Sequence, residues 1–165
     1  MNEHDPSEWL GSITEIFTEL QVDWALVGAL AANRYRATPR FTTDLDTLAR
    51  YHVALVDNLR RAGYEVTVFA DEGESPHLIR CHQGPQSIDV LIPVVEYQAI
   101  ALARAVDHVL AVEDVIIHKL IAWRARDRDD IRSIFEAGVA VDLDYLKRWI
   151  AEWELADRWR AFHQP

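Results

Sequence analysis

Trp24-Ala-Leu-Val-Gly28-Ala-Leu-Ala-Ala-Asn33-Arg-Tyr-Arg36-Ala-Thr-Pro39-Arg40-Phe-Thr42-Thr-Asp44-Leu-Asp46 is the stretch that decides the fold. A short apolar run ends at a glycine, an alanine-rich segment follows, Pro39 marks a loop, and a second extended run carries two aspartates one residue apart. Side chains alternate faces along a strand, so Asp44 and Asp46 are expected side by side, about 6–7 Å apart, with Leu45 turned into the core. Two carboxylates so placed repel unless a cation lies between them. Hard divalent ions such as Mg²⁺ take oxygen ligands of this kind.

Outward from this stretch the pattern is mixed. Upstream, Trp9, Leu10, Ile13, Ile16, Phe17 and Leu20 have helical spacing over residues 7–20, with Ser7 as the expected N-cap. Residues 24–27 read as a buried strand, 28–35 as a helix, and 43–49 as the second strand. Residues 53–61 are amphipathic and stop at Gly63. Three strand-like runs follow at 64–69, 77–82 and 86–92, the last two joined by a turn at Gln83-Gly84-Pro85. From about Val95 the chain reads as helical, with a brief break near 107–109. The expected fold class is α/β: a small mixed sheet with flanking helices, then a helical C-terminal part. No Gly/Ser/Pro-rich linker or repeat divides it, so one domain is expected over 1–165, with an α/β core over 1–94 and helices over 95–165.

The composition narrows the function classes. Half of the 165 residues are hydrophobic, and only six are glycine and six proline, as in an ordered globular chain. One cysteine, Cys81, excludes an intrachain disulfide and a cysteine-built zinc site. No apolar run approaches the roughly 20 residues of a membrane span, and the acidic start Met1–Asp5 lacks a signal-peptide charge pattern. The expected location is cytoplasmic, with no membrane partner. A formal charge of −10 argues against broad nucleic-acid binding, which depends on neutralising phosphates.

A third acid stands where a metal site needs one. In Ser87-Ile88-Asp89-Val90-Leu91, Ile88 and Val90 share one face of a strand and Asp89 takes the other. If this strand lies beside that of Asp44 and Asp46, three carboxylates converge and can hold one or two Mg²⁺ for phosphoryl chemistry. A second cluster runs from Glu113 through Lys119 to Asp130. On an unbroken helix, Lys119 and Asp130 fall within about 20° of one azimuth and Asp127 about 80° away. The plain alternative is a solvated face with Arg126 and Asp130 paired at i,i+4. Other chemistries lack their patterns. Ser87 has no Gly-x-Ser-x-Gly elbow; His77, Cys81 and His82 fit no zinc spacing; no Glu-x-Lys follows Asp89 as in metal nucleases. Trp149, Trp153 and Trp159 read as core or interface aromatics.

The runs Gly28-Ala29…Arg40-Phe-Thr42-Thr-Asp44-Leu-Asp46, Ile88-Asp89-Val90, and Glu113-Asp114…Lys119…Arg126-Asp127-Arg-Asp-Asp130 resemble the DNA polymerase β-type nucleotidyltransferase superfamily. They are closest to its small AbiEii-like branch, which includes toxins of toxin–antitoxin pairs. The resemblance covers about residues 22–135. It implies a nucleoside triphosphate partner, Mg²⁺ as cofactor, and transfer of a nucleoside monophosphate to a hydroxyl. It implies Asp44, Asp46 and Asp89 as metal acids and Lys119 on the triphosphate. Asp127 or Asp130 would orient or deprotonate the acceptor. Gly28, Ala29, Arg40 and Thr42 would lie at the nucleotide. Ala29 stands where relatives often carry glycine or serine, which keeps a non-catalytic nucleotide- or protein-binding module as the alternative. The acceptor implied is an RNA end, a small molecule or a protein side chain. Arg34, Arg36, Arg40, Arg124, Arg126 and Arg128 are the candidates for an RNA groove, and the acidic surface leaves room for an antitoxin protein.

Overall fold

Among the described residues, five strands lie between Trp24 and Leu91, and five of eight helices follow them. The computed structural model describes residues 6–162, with side chains from Leu10 onward, so the acidic start lies outside the described residues, and Ser7, expected as the N-cap, falls one residue inside the first helix. Helix α1 (Pro6–Glu19) leads to β1 (Trp24–Leu26), α2 (Gly28–Asn33), β2 (Asp44–Ala49) and α3 (Leu55–Arg61). Strands β3 (Glu65–Phe69), β4 (Leu78–Gln83) and β5 (Gln86–Leu91) come next. The chain ends in α4 (Glu96–Ala103), α5 (Val112–Ala122), α6 (Ala125–Glu136), α7 (Leu143–Glu152) and α8 (Ala156–Arg160). Among the described residues, no helix is long and apolar enough to cross a membrane.

The sheet order is β1-β2-β5-β4-β3, with β2 and β5 parallel and every other pair antiparallel. Alternation gives its two faces opposite chemistry. Leu45 and Ala49 of β2, Ile79 and Cys81 of β4, and Ile88 and Val90 of β5 pack with Ile13, Phe17, Leu55 and Leu59 of α1 and α3 in one buried cluster. The same strands turn Asp44, Asp46, Arg80, His82, Ser87 and Asp89 to the other face. At its β1–β2 end that face is apolar, and there Ala25 and Leu48 join α2 and the C-terminal helices in a second cluster.

The helical part is broken more often than its composition foretells. Between α4 and α5 the chain adds to the sheet edge: Leu26 N donates to His108 O at 2.7 Å, and Leu110 N to Leu26 O at 3.2 Å. Residues 104–111 are therefore non-helical, a longer interruption than the 107–109 expected. Trp123, left-handed at φ 54°, separates α5 from α6, so the continuous helix assumed between Lys119 and Asp130 is two helices. Asp142 restarts the chain as α7 by accepting hydrogen bonds from Asp144 N at 3.1 Å and Tyr145 N at 3.0 Å. Asp114 ties α4, α5 and α7 together. Fully buried, it accepts from Tyr97 OH at 3.1 Å, Tyr145 OH at 2.7 Å and Arg104 Nε at 3.1 Å.

Candidate active site

The polar face of the sheet is the floor of a cleft of about 700 Å³, roofed by α4, α5, the start of α6 and Trp153 beyond α7. Asp44, Asp46, Arg80, His82, Ser87 and Asp89 line the floor. Register brings the acids together, since Asp44 pairs with Ser87 and Asp46 with Asp89 across the parallel β2–β5 ladder. Leu45 is turned away into the core at 2% exposure, as alternation requires.

Gly28 fixes the approach to Asp46. The end of β1 is tied to β2 by Val27 N donating to Asp46 O at 3.0 Å. The next residue has φ +63°, and a Cβ there would stand 2.2 Å from Asp46 Oδ2. Only glycine takes that conformation and that contact together. Asp46 is raised above the ordinary carboxyl range by burial and then by the charges of Asp89 and Asp44, with Lys119 and Arg124 working the other way. Neither Asp44 nor Asp46 has an ion-pair partner among the described residues. Two unpaired carboxylates side by side, one of them burdened by its neighbours, are the donor chemistry that fits a Mg²⁺ ion. Such an ion takes one or two protein carboxylates and fills its shell with water and phosphate oxygens.

Asp89 is engaged differently. Arg80 stands directly opposite it on β4. Arg80 Nε donates to Asp89 Oδ1 and Nη2 to Oδ2, both at 2.7 Å, a bidentate clamp. Among the described residues, no group of three acidic, histidine or cysteine side chains is arranged to hold a metal. The three carboxylates expected to hold one or two Mg²⁺ thus meet in register but are not alike. Asp44 and Asp46 are open, and Asp89 is held by a guanidinium.

The second predicted cluster is a buried ion network. Lys119 is 3% exposed, with Nζ 2.7 Å from Asp130 Oδ2 and 3.2 Å from Asp127 Oδ1. Asp130 also accepts from Arg40 Nε at 2.8 Å, from Arg40 Nη2 at 3.1 Å, and from Arg36. Asp127 accepts from Arg124 N at 3.0 Å, Nε at 2.7 Å and Nη2 at 3.2 Å. Burial works to raise both carboxyls. The hydrogen bonds from Arg124 and Lys119 to Asp127, and from Arg40 and Lys119 to Asp130, outweigh it and hold both below the ordinary value. Asn33 closes the loop that carries Arg36 and Arg40: its Nδ2 donates to Arg40 O at 2.8 Å and its Oδ1 accepts from Arg40 N at 3.0 Å.

Of the residues the sequence singled out, the cleft gathers Gly28, Asp44, Asp46, Asp89, Lys119 and Asp127. Ala29, Arg40, Thr42 and Asp130 do not line it. Ala29 is buried at 6% exposure, and Asp130 is wholly enclosed by its cations. Arg126 does not pair with Asp130; it is exposed, lines the cleft and has no ion-pair partner among the described residues. The other arginines offered to an RNA groove are engaged within the chain: Arg34 with Asp107, Arg36 and Arg40 with Asp130, Arg124 with Asp127, and Arg128 with Trp123 O. Sequence reading overlooked Arg80, Tyr97 and His118, and took Trp153 for a core or interface aromatic; Trp153 is 38% exposed and lines the cleft. His118 carries a buried Nε2 with no partner and is lowered to about 4 by burial and then by the charge of Lys119.

No protein-family profile matches the chain, and no curated protein matches its sequence. Solved structures do resemble it. The antibiotic-resistance factor ANT(2'')-Ia in solution superposes with a TM-score of 0.60 at 14% identity, covering 95% of this chain and 97% of that one. A crystal structure of ANT(2'')-Ia in complex with adenylyl-2''-tobramycin gives 0.61 at 13% identity, over 92% of this chain and 97% of that one. An antigenic nucleotidyltransferase-like protein from Paracoccidioides brasiliensis gives 0.48 at 16% identity, over 91% and 88%. The ANT(2'')-Ia likenesses run nearly the full length of both chains and show a nucleotidyltransferase fold.

Proposed function

We propose that this chain is a Mg²⁺-dependent nucleotidyltransferase that moves a nucleoside monophosphate from a nucleoside triphosphate to the hydroxyl of a small molecule. The observation that carries the reading is the open pair Asp44 and Asp46 beside Gly28, in register with Asp89 and at the floor of a cleft. The reaction forms a bond from the acceptor oxygen to the α-phosphorus and breaks the bond to the β-phosphate oxygen, releasing pyrophosphate. Asp44 and Asp46 would hold the ion, which supplies charge neutralisation at the phosphates when bound. Gly28 lets the backbone approach that place without a side chain in the way.

Arg126, exposed and unpaired, and the exposed guanidinium of Arg124 offer positive charge to the triphosphate. Lys119 has two of its three donors committed to Asp127 and Asp130 and one left for a phosphate oxygen. Asp127 and Asp130, offered by the resemblance as bases, have their oxygens occupied by cations. Asp44 and Asp46 are the open carboxylates for the acceptor proton. In this reading Asp127 and Asp130 are positioning residues that hold Lys119 and the Arg36–Arg40 loop.

A small acceptor is favoured over an RNA end for two reasons. The cleft volume, about 700 Å³, lies in the range of small-ligand sites. Its wall of Leu91, Val95, Tyr97, Ile121 and Trp153 is apolar, and of the six arginines an RNA groove would draw on, all but Arg126 are held by partners within the chain. The AbiEii-like placement and an antitoxin partner rest on the sequence runs alone.

The test is incubation with Mg²⁺ and each of four α-³²P nucleoside triphosphates against pooled small hydroxyl compounds, total RNA and total protein, beside Asp46→Asn. Label on a small molecule, lost in the variant, is the expected result. Equal labelling by a well-folded Asp46→Asn protein would defeat the assignment.

A further inference from the structure

Resting on the nucleotidyltransferase reading of the cleft, we propose that Arg80 is a built-in second cation. Clamped on Asp89, it limits the site to one divalent ion, at Asp44 and Asp46, where three strand carboxylates would otherwise take two. Arg80 and Asp89 face each other across adjacent antiparallel strands, so the β4–β5 hairpin itself sets their distance. Both carboxylate oxygens accept from the guanidinium at 2.7 Å, the short, planar geometry of a strong fork-to-fork pair. The Arg80 guanidinium also lies 5.7 Å from the centre of the Phe69 ring on β3, which steadies it from the strand beyond. An ion reaching Asp89 in the carboxylate plane meets this guanidinium first.

The clamp does not bury its cation. The Arg80 side chain is 41% exposed and lines the cleft, so its outward N–H groups face whatever enters. Arg80 therefore puts a permanent positive charge beside Asp46, one that no chelator removes. Its place is two strands farther from Gly28 than Asp46, beyond Asp89 and on the side of the apolar wall formed by Leu78 and Leu91. Arg80 is a positioning residue in this account. It holds Asp89 away from ion binding and presents charge to the bound substrates.

The test counts ions instead of turnovers. Mn²⁺ binding is measured by electron paramagnetic resonance on the whole chain with a saturating non-hydrolysable α,β-methylene nucleoside triphosphate. The native protein is expected to bind one Mn²⁺ per chain, Arg80→Met two, and Arg80→Met/Asp89→Asn one again. Asp89→Asn alone stays at one. Arg80 is a half-exposed side chain on a strand, and far-UV circular dichroism checks that its variants fold. Two ions in the native protein, with nucleotide bound, overturn the proposal and leave the nucleotidyltransferase reading standing. So does Arg80→Met remaining at one. Neither ion nor nucleotide bound by the native protein sinks the underlying reading, and the proposal with it.

Discussion

The two acidic clusters of this protein, on strands and on helices, have opposite electrostatics. Asp44 and Asp46 lie on β2 without a counter-ion among the described residues, and burial together with neighbouring carboxylates raises Asp46. Asp127 and Asp130 on α6 are more deeply enclosed, yet Lys119, Arg36, Arg40 and Arg124 surround them and hold both low. A carboxylate wrapped in cations is part of the architecture. A carboxylate left open beside another is unfinished until something positive arrives, and that difference separates the site from its scaffold more clearly than residue type does.

The contrast breaks most visibly at Lys119. Lys119→Met removes a buried cation shared by two buried carboxylates, and is expected to cost about 3–5 kcal/mol of stability in urea unfolding. An effect under about 1 kcal/mol would mean that the helix cluster is not the scaffold described. Asp46→Asn should do the reverse. It relieves repulsion, so stability holds or rises, while nucleotidyl transfer falls by a factor worth several kcal/mol of lost charge stabilisation. Loss of stability in this variant would place Asp46 with the helix cluster. Gly28→Ala puts a Cβ against Asp46 Oδ2 in a left-handed backbone, at about 1–2 kcal/mol for the conformation alone. Thermal unfolding should register that cost, and Mn²⁺ affinity should fall with it.

The smallest effect is read in pH. His118 is lowered to about 4 from the usual 6.5. Its unfolded form therefore binds more protons than the folded form between those values, so stability declines as pH falls from about 6.5 to about 4. Asp127 and Asp130, depressed in the folded state, contribute stability that persists through that window and is lost only below the ordinary carboxyl range. Urea midpoints for His118→Phe should flatten between pH 6.5 and 4 and leave the steeper acid limb intact. Asp46 and Asp114, both raised, work in the opposite direction over that range. The test is therefore the difference between the two proteins, and a His118→Phe profile parallel to the native one would remove His118 from the account.

Much of this was legible because it follows from local periodicity. The order of elements through β5, the inward turn of Leu45 and the outward turn of Asp44, Asp46 and Asp89 come from strand alternation. Arg80 was legible too but went unread. Counting three rungs back from the Gln83–Gln86 pair of the hairpin puts it opposite Asp89. The meeting of Lys119 and Asp130 was expected for the wrong reason. Helical phase on one helix was the stated basis, but a left-handed Trp123 folds two helices together, and neither glycine nor proline marks that break. The grip of Arg36 and Arg40 on Asp130 spans about ninety residues and depends on where α6 settles against the α2–β2 loop, which no short-range pattern encodes. Trp153 misled because helical spacing with Trp149 is blind to which end of α7 reaches the cleft.

Cys81 offers a practical opening. It is the chain's single cysteine, fully enclosed on the apolar face of the sheet, and burial pushes its thiol up to about 12. A thiol that neither ionises near neutrality nor meets solvent is silent toward maleimides and spin labels. A cysteine introduced at Ile121, on the rim of the cleft, would be the only reactive one. The native chain is thus a ready background for watching, by fluorescence or spin-label mobility, when and by what the cleft is filled.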